Sequence, residues 1–237
     1  MKGIILAGGS GTRLYPLTKV TSKQLLPVYN KPMIFYPLQT LLDAGIKEIL
    51  FIIAPGQAGD FLNLLGSGKQ FGAKFTYEIQ DKPEGLPQAF IIGRDFIGDD
   101  SVAMILGDNI FEDDFSSAIK KFKKGAYAFV KEVSDPERFG VIKFDSKKKA
   151  IRIEEKPKKF ISSYAITGLY IFDSRVVDVA SSLKPSARGE LEITDLHRWY
   201  LERRELKVDV VGGEWMDAGT FDSLLKASNW AKNRLEK

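Results

Sequence analysis

The sequence has no cysteine and a single histidine. The lack of cysteine excludes a disulfide scaffold, a thiolate nucleophile and a cysteine-ligated metal site. His197 falls within a predicted helix, where a lone histidine is usually structural, and no Ser/His/Asp arrangement can be built around it. We therefore expect chemistry that needs neither a cysteine nor a histidine.

Long apolar runs are also missing, since no stretch approaches the roughly 20 residues of a membrane span. A predicted strand begins within two residues of Met1, which leaves no room for a signal peptide. We therefore expect a cytoplasmic protein with no membrane partner.

The composition is that of a globular protein able to bury a core. The chain has 237 residues, 44% of them hydrophobic and 28% charged, which fits one large α/β domain or two small ones. Lysine runs at 120–124 and 147–149 could indicate nucleic acid. Because neither run extends into a longer stripe and the net charge is only +4, we expect solvated surfaces and no nucleic-acid partner.

A glycine-rich turn follows the first predicted strand. Residues 2–7 are apolar without alternation, as in a parallel sheet covered on both faces. Gly8, Gly9 and Gly11 come next, and such a turn lets backbone N–H groups approach a phosphate. Arg13 and Lys23 add positive charge. We interpret this segment as the site of a nucleotide triphosphate, the alternative being a flexible surface turn.

Two common nucleotide-binding loops do not fit this segment. The phosphate loop of NTPases requires G-x-x-x-x-G-K-[ST], and no Gly-Lys-Ser/Thr occurs here. The dinucleotide fingerprint requires G-x-G-x-x-G, and counting from Gly9 its last position is Leu14. The turn is therefore a third kind of glycine loop.

Strands and helices alternate from the start of the chain, which predicts right-handed βαβ units and a mostly parallel sheet. After residue 126, strands separated by turns predict a smaller antiparallel layer. The predicted strands are 2–7, 48–53, 74–80, 102–106, 126–133, 140–144, 150–154, 164–172 and 206–211. The predicted helices are 31–44, 60–65, 87–93, 115–122, 176–183, 193–203 and 221–235. In the first helix, Pro37 predicts a kink or a late start, and Gly45 a C-cap.

The segment 80–89 leaves a strand and enters a helix at the edge of the sheet where ligands bind. Gln80 carries a donor and an acceptor that suit the edge of a base, and Gly85 would let a flat ring lie against the backbone. The alternative is that Pro83 and Gly85 simply form a turn.

Several carboxylates follow strands or precede helices. Asp108 lies at the carboxyl end of a central strand, where it could hold a divalent cation against phosphates; a turn is the alternative. Asp113 and Asp114 precede a helix and are predicted to cap it. Asp217 ends a second polar loop, 212–220.

Taken together, the motifs resemble those of the sugar-1-phosphate nucleotidylyltransferases, and within them the glucose-1-phosphate thymidylyltransferases. The resemblance covers essentially the whole chain. It rests on the order and spacing of LAGGSGTRLYPLT, SKQLLPV, KPMI, LGDNIF, DPERFGV, EEKP, YAITGLY, KPSARGELEITD and WMDAGT.

The resemblance implies a role for individual residues. On the nucleotide side the matching residues are Leu6, Gly8, Gly9, Gly11, Thr12, Arg13, Lys23, Gln24, Gln80, Pro83, Gly85 and Asp108. On the sugar-phosphate side they are Asn109, Gly140, Glu155, Lys156, Ile166 and Arg188. Asp108 and Asp217 match the Mg²⁺ ligands, and Arg13, Lys23 and Lys156 the catalytic cations.

The resemblance also implies a fold and a reaction. The fold is a Rossmann-like three-layer α/β sandwich with a mostly parallel central sheet and a small antiparallel sugar-binding layer. It forms one domain over 1–237, with 1–125 mainly for the nucleotide, 126–220 mainly for the sugar phosphate and 221–237 as a C-terminal helix. The partners are dTTP and glucose 1-phosphate, with Mg²⁺ as cofactor, in a homo-oligomer (dimer or tetramer).

Two alternatives stay open at this point. One is the same chemistry with another base or sugar, such as a UTP–glucose-1-phosphate uridylyltransferase. The other is a catalytically silent regulatory member, although Arg13, Lys23, Asp108 and Asp217 are all present. Many family members continue past the final helix into a segment with an additional nucleotide site, so for a sequence ending at Lys237 neither feedback regulation nor the details of a tetramer are predicted.

Overall fold

The computed structural model describes residues 1–235, which are built around a sheet of nine strands. Two further two-stranded sheets lie beside it. The strands are β1 (Lys2–Ala7), β2 (Pro27–Val28), β3 (Lys31–Pro32), β4 (Glu48–Ile53), β5 (Lys74–Ile79), β6 (Val102–Leu106), β7 (Asn109–Phe111), β8 (Ala126–Glu132), β9 (Gly140–Phe144), β10 (Ala150–Glu155), β11 (Tyr164–Phe172), β12 (Leu206–Val210) and β13 (Trp215–Asp217).

The main sheet is mostly parallel, as predicted. Strands β12, β8, β11, β6, β1, β4 and β5 lie side by side in that order. The pairs β1–β4, β1–β6, β4–β5 and β8–β12 are parallel, and β11 is antiparallel to both of its neighbours. Strands β9 and β10 extend antiparallel from the N-terminal part of β11. The strands predicted after residue 126 are thus present, but β8, β9 and β10 belong to the main sheet and do not form a separate layer.

Helices cover both faces of the sheet. They are α1 (Phe35–Asp43), α2 (Ala58–Leu65), α3 (Gln88–Ile92), α4 (Arg94–Ile97), α5 (Ser116–Lys121), α6 (Val176–Ser182), α7 (Ile193–Glu202) and α8 (Phe221–Leu235). Side chains of a strand alternate between faces, so Ile4 and Leu6 pack with α3, α4, α6 and α7, whereas Ile5 and Ala7 pack with α1 and α2. The fold is therefore a three-layer α/β sandwich.

None of the helices within 1–235 combines the length and the apolarity that a bilayer-spanning segment requires.

The first helix starts late, as Pro37 predicted. It begins at Phe35, which leaves Pro37 in the first turn, where a backbone donor has no intrahelical partner. Gly45 follows the helix with φ +85°. The N–H of Ile46 donates to the carbonyl of Leu41 over 3.0 Å, as in a Schellman motif, so Gly45 ends the helix as predicted.

The short sheet of β7 and β13 was not predicted. Its antiparallel register pairs Asn109 with Asp217 and Phe111 with Trp215. A separate core cluster supports this sheet and ties it to α8; its buried members are Val28, Met33, Ile110, Met216, Ala218, Ala227 and Ala231. The C-terminal helix therefore supports the strand that ends in Asp217.

The N-cap of α5 is Phe115, which makes no side-chain cap bond, so neither aspartate before the helix caps it in the predicted way. The carboxylate of Asp114 accepts a hydrogen bond from the backbone N–H of Ser116, the first residue of the helix, over 2.8 Å. The carboxylate of Asp113 instead accepts from the backbone N–H groups of Gly212 and Gly213, at 3.1 and 2.8 Å. Asp113 therefore fixes the loop before β13, and its predicted capping role was wrong.

His197 is fully buried on α7, with its ring 5.4 Å from that of Tyr170 and 5.2 Å from that of Phe172. Burial lowers the pKa of His197 to about 3. The ring is therefore neutral in the folded protein and belongs to the core.

Candidate active site

A cavity of about 430 Å³ opens at the carboxyl ends of the parallel strands, the edge of such sheets where ligands bind. It gathers most of the residues singled out from the sequence: Leu6, Gly9, Arg13, Lys23, Gln24, Gln80, Pro83, Gly85, Asp108, Asn109, Gly140, Glu155, Lys156, Ile166, Arg188 and Asp217. A larger cavity of about 640 Å³ lies between α1, β7 and α8 and contains none of them. The smaller cavity is therefore the candidate active site.

Three residues of the glycine loop are not among those that line this cavity. A Cβ built on Gly8 would be 2.1 Å from Oε1 of Gln80, so this position has no room for a side chain. Gly11 has φ +63° and its carbonyl accepts a hydrogen bond from Thr18 over 2.9 Å. Thr12 begins the turn that carries Arg13. Gly8, Gly11 and Thr12 therefore shape the loop.

Two carboxylates from distant parts of the chain meet in the cavity. Asp108 follows β6, the strand next to β1, and Asp217 ends β13. The pairing of β7 with β13 aligns them, and the N–H of Ala218 donates to the backbone carbonyl of Asp108 over 2.9 Å. The structure thus brings together Asp108 and Asp217, the two aspartates for which the sequence predicts a shared metal ion.

Lys23 balances the charge of the more deeply buried carboxylate. Its Nζ lies 2.5 Å from Oδ2 of Asp108, which is 6% exposed. Burial alone would raise the pKa of Asp108, but the charge of Lys23 and hydrogen bonds from Lys23 and Asn109 outweigh it and lower this pKa. Asp108 is therefore ionised at neutral pH.

Asp217 is in the opposite situation. Burial, and next the negative charge of Asp108, raise the pKa of Asp217 to about 6, although Arg13 and Lys23 oppose the shift. Arg13 and Lys23 therefore do not fully offset the repulsion between the two carboxylates. A cation bound between them would reduce this repulsion.

Arg13 reaches the same point from the glycine loop. A Cβ built on Gly219 would lie 2.8 Å from Nη2 of Arg13 and 2.8 Å from Oδ1 of Asp217. Because residue 219 is a glycine, the space beside it stays open, and both the guanidinium of Arg13 and the carboxylate of Asp217 border that space.

Asn109 uses its side chain to hold the site together. Its Oδ1 accepts from Nε1 of Trp215 over 2.6 Å and from the N–H of Gly168 over 3.0 Å. Its Nδ2 donates to Oδ1 of Asp108 over 3.1 Å. Asn109 is 2% exposed, so it orients Asp108 in addition to lining the cavity.

The other end of the cavity is built from β9, β10 and the chain around α7. A Cβ built on Gly140 would lie 2.5 Å from Cγ2 of Thr194 and 3.1 Å from Oε2 of Glu155. Burial and then the charge of Glu192 raise the pKa of Glu155, against Lys156, Thr194 and Arg188. Its carboxylate is thus held in a confined place that a side chain at residue 140 would fill.

Arg188 is engaged with carboxylates at this end. Its guanidinium lies 3.4 Å from Glu155, 2.9 Å from Glu190 and 3.7 Å from Glu192. A ligand phosphate placed here would meet a cation that already has carboxylate partners.

Lys156 and Ile166 complete this end. Lys156 directly follows β10 and has φ +41°, a conformation uncommon for a residue other than glycine. Its backbone N–H donates to the carbonyl of Phe139 over 3.0 Å. Ile166 is buried in β11. Strained backbone conformations that are fixed by hydrogen bonds occur often at ligand-binding sites, and Lys156 has such a conformation.

The two loops at the ends of the cavity are joined through their backbones. Gly85 and Leu191 form an isolated parallel bridge, and the N–H of Leu191 donates to the carbonyl of Glu84 over 2.8 Å. Gly85 has φ +112°, and a Cβ there would lie 2.0 Å from the carbonyl oxygen of Leu191. Glycine at this position is therefore required for the joint between the loop after β5 and the loop before α7.

The sequence model of the nucleotidyl transferase family matches residues 2–234. The chain belongs to this nucleotidyl transferase family.

Relatives of this nucleotidyl transferase extend the comparison. It is 53% identical to a glucose-1-phosphate thymidylyltransferase of Neisseria meningitidis, over 98% of this chain and 83% of the relative. A crystal structure from Bacillus anthracis, assigned as a glucose-1-phosphate thymidylyltransferase and solved with sucrose, superposes with a TM-score of 0.93 at 50% identity, covering 98% and 95% of the two chains. The predicted family and the Rossmann-like fold are confirmed.

A more distant structure shares the fold alone. A UDP-glucose pyrophosphorylase in complex with UDP-glucose superposes on this nucleotidyl transferase with a TM-score of 0.86 at 24% identity, over 98% of each chain.

Several residues that line the cavity of this nucleotidyl transferase were missed by the sequence reading; among them are Tyr170, Leu191 and Trp215. Tyr170 lies in a nearly continuous apolar strand, where nothing distinguishes it from core. Trp215 precedes Asp217 by two positions, so alternation along a strand would have placed both on one face. This alternation could not be used for prediction, because the sequence does not indicate that residues 215–217 form a strand.

The carboxylates of Asp108 and Asp217 offer hard oxygen ligands at one end of the cavity. Within 1–235 there is no group of three or more His, Cys, Asp or Glu side chains arranged to hold a metal ion. Mg²⁺ is commonly bound by one or two carboxylates together with substrate phosphates rather than by a cage made wholly of protein. Asp108 and Asp217 fit that mode of binding.

Proposed function

We propose that this nucleotidyl transferase transfers a thymidylyl group from dTTP to α-D-glucose 1-phosphate, giving dTDP-glucose and pyrophosphate. The observation that carries the proposal is the meeting of Asp108, Asp217, Arg13 and Lys23 at one end of a cavity whose other end holds Glu155. The identity of 53% to a glucose-1-phosphate thymidylyltransferase supports the choice of substrates.

The nucleotide would lie at the end of the cavity formed by the glycine loop and the loop after β5. The triphosphate would face Arg13 and Lys23, and the base would face Gln80 and Gly85. Gly8, Gly11 and Thr12 would shape the loop at this end, and Leu6, Gly9, Gln24 and Pro83 line the cavity there. This assignment accounts for the positive charge at the carboxyl ends of β1 and β6.

The sugar phosphate would lie at the opposite end. Glu155 and Gly140 would face sugar hydroxyls, Ile166 would supply an apolar wall, and Lys156 and Arg188 would orient the phosphate. Asn109 would set the position of Asp108 between the two substrates. The segment 1–125 would thus serve mainly the nucleotide and 126–220 mainly the sugar phosphate. The C-terminal helix predicted for 221–237 corresponds to α8 (Phe221–Leu235), and its last two positions lie outside the described residues.

Mg²⁺ is the proposed cofactor, held by Asp108 and Asp217. When bound, the ion would neutralise phosphate charge and keep the two anionic substrates together. The pair of carboxylates and the raised pKa of Asp217 support this choice.

The reaction needs little covalent help from the protein. An oxygen of the sugar phosphate forms a bond to the α-phosphorus of dTTP while the bond from that phosphorus to the β-phosphate oxygen breaks, and pyrophosphate leaves. The attacking oxygen is already ionised, so no general base is required. Arg13 and Lys23 stabilise charge on the leaving pyrophosphate, and Lys156 and Arg188 align the attacking phosphate.

A uridylyltransferase is the nearest alternative. Thymine and uracil differ by one methyl group, which separates substrates by only roughly 10–200-fold in an apolar pocket. The UDP-glucose pyrophosphorylase comparison, at 24% identity, supports the fold alone, so the thymidylyltransferase relatives favour dTTP.

The experiment is pyrophosphate release measured with dTTP, UTP, dCTP and dGTP against several hexose 1-phosphates, with and without Mg²⁺. We expect the highest kcat/KM with dTTP and glucose 1-phosphate, and release that depends on the metal. No release with any pair of substrates, from folded protein supplied with Mg²⁺, would refute the proposal, and a preference for UTP would replace it with the uridylyltransferase.

The family resemblance further predicts a cytoplasmic homo-oligomer, either dimer or tetramer, that binds no nucleic acid. Sedimentation measures the assembly. A titration with DNA and RNA near physiological ionic strength tests the last point, since nonspecific binding depends strongly on salt.

A further inference from the structure

The terminal amide of Gln80 is held by Gln88, a residue to which the sequence analysis assigned no role. Gln80 is 3% exposed and lines the cavity. Its Nε2 donates to Oε1 of Gln88 over 2.6 Å. Gln88 lies at the start of α3, so a residue of the helix holds the residue proposed to face the base.

Gln88 is in turn oriented by Glu84. The Oε1 atom of Gln88 accepts from the backbone N–H of Glu84 over 3.0 Å, and its Nε2 donates to Oε2 of Glu84 over 2.9 Å. A backbone N–H can only donate and an ionised carboxylate can only accept. The oxygen of Gln88 must therefore face the N–H, and its nitrogen must face the carboxylate.

The orientation of the Gln88 amide determines the orientation of the Gln80 amide. Since the atom of Gln88 that faces Gln80 is an oxygen, only the NH₂ end of Gln80 can bond to it. The opposite orientation of the Gln80 amide would set two acceptors 2.6 Å apart. Glu84 thus fixes the polarity of Gln88, and Gln88 fixes the polarity of Gln80.

The other end of the Gln80 amide remains available to a ligand. Among the described residues, no donor bonds to Oε1 of Gln80. This oxygen lies over Gly8, where a Cβ would come within 2.1 Å of it. A ligand in the cavity therefore meets a fixed acceptor beside the second N–H of the same amide.

We propose that Gln88, held by Glu84, is a positioning residue that makes Gln80 select bases with an N–H next to a carbonyl. Thymine and uracil present N3–H as a donor and O4 as an acceptor, which complement Oε1 and Nε2 of Gln80. Cytosine presents N3 as an acceptor and an N4 amino group as a donor, the reverse order. Free to rotate, the amide of Gln80 would serve both kinds of base equally well.

This inference rests on the proposed function and deepens it. A leucine at residue 88 removes the acceptor that Gln80 bonds to and leaves its amide free to turn. With the amide of Gln80 fixed, cytosine leaves polar groups without a hydrogen-bond partner, and in Gln88→Leu the amide can turn to pair with them. We therefore expect Gln88→Leu to reduce the ratio of kcat/KM for dTTP to kcat/KM for dCTP by about tenfold, the usual effect of one unpaired buried polar group. The affinities of dTDP and dCDP, measured by calorimetry without turnover, should converge likewise.

The matched control is Gln88→Glu. A carboxylate still accepts from Nε2 of Gln80 and from the backbone N–H of Glu84, so the polarity of Gln80 is kept. We expect its dTTP-to-dCTP ratio to stay near that of the unchanged protein, even where repulsion from Glu84 lowers overall activity.

A second variant, Gln88→Lys, places a donor where Gln80 now meets an acceptor. Residue 88 is half-buried and faces the carboxylate of Glu84, which can pair with the new ammonium group. A donor at this point favours the reversed orientation of the Gln80 amide. We expect the ratio to move toward dCTP, and this variant decides the question should Gln88→Leu fail to fold.

The outcomes separate the two proposals. A ratio unchanged in both Gln88→Leu and Gln88→Lys, with both nucleotides affected equally, would overturn the role of Gln88. An equal fall of the ratio in Gln88→Glu and Gln88→Leu would overturn it too. Failure of the unchanged protein to use dTTP with glucose 1-phosphate would instead count against the proposed function.

Discussion

Asp217 pairs with Asn109 across the two short antiparallel strands β7 and β13. Because Asn109 also donates to Asp108 over 3.1 Å, one pair of strands sets the positions of both carboxylates. The site is thus assembled by contacts between the middle and the end of the chain, and its chemistry can be tested at each of these contacts.

The first prediction concerns Asp217 itself. In Asp217→Asn the side-chain oxygen can still accept from the N–H of Gly219, which is 3.1 Å from it, but the negative charge is lost. Loss of one such charge commonly reduces the rate on the order of 10²–10³-fold, and we expect this in kcat for pyrophosphate release.

Asp114→Asn is the matched control, because Asp114 only holds the start of α5. It should turn over like the unchanged protein. Similar activity in the two variants would contradict the assignment of Asp217 as a metal ligand.

The second prediction concerns the exposed guanidinium of Arg13. Arg13→Ala should lower kcat at saturating glucose 1-phosphate on the order of 10²–10³-fold, since it removes charge that stabilises the leaving pyrophosphate. The fold should survive, as circular dichroism would record. Lys19→Ala removes an exposed cation from the same loop and should have little effect. Near-normal turnover in Arg13→Ala would refute its role.

The third prediction is a pH dependence of stability. The pKa of His197 is about 3 in the folded protein against 6.5 for the unperturbed group, so the unfolded chain takes up the proton first as pH falls. Stability is therefore fully present above pH 6.5 and is lost on acidification. Between pH 7 and pH 5 this one group should cost about 2 kcal/mol.

His197→Phe keeps the ring contacts with Phe172 but cannot titrate. Urea unfolding at both pH values should give a difference between the two proteins that shifts in favour of the variant at pH 5. A constant difference would mean that the histidine does not contribute to the acid sensitivity.

The fourth prediction compares two glycines. A Cβ on Gly168 would lie 2.4 Å from Oδ1 of Asn109, whereas one on Gly59 in α2 would meet no atom within 4 Å. Gly168→Ala should destabilise the protein by about 1–3 kcal/mol through overpacking and lower turnover by moving Asn109. Gly59→Ala should stabilise it by roughly 0.5–1 kcal/mol through helix propensity. Thermal unfolding of both variants checks the signs, and stabilisation by Gly168→Ala would contradict the description of Asn109.

Much of the fold could be predicted because buried parallel strands leave a plain signal. Residues 49–53 are apolar without alternation, and β4 has the predicted bounds. Asp108 comes two residues after the similarly buried strand β6, and Gln80 directly follows β5, whose side chains are less buried. The rule that ligands meet the carboxyl ends of parallel strands then placed both residues at one edge of the sheet.

The rest depended on contacts that no local pattern encodes. Strand β13 is only three residues long, too short for a periodicity to be visible, so its pairing with β7 could not be predicted. Asp113 looked like a helix cap because its partners, Gly212 and Gly213, come from the far end of the chain. The bond from Gln80 to Gln88 likewise depends on how tightly the chain turns between them.

The backbone bridge between Gly85 and Leu191 has a consequence for redesign. An insertion in either loop would displace the other, so a library that varies the sugar-facing segment would also disturb nucleotide choice. Laboratory evolution toward a new sugar should therefore accumulate compensating changes around residues 81–87, although these lie at the far end of the substrate.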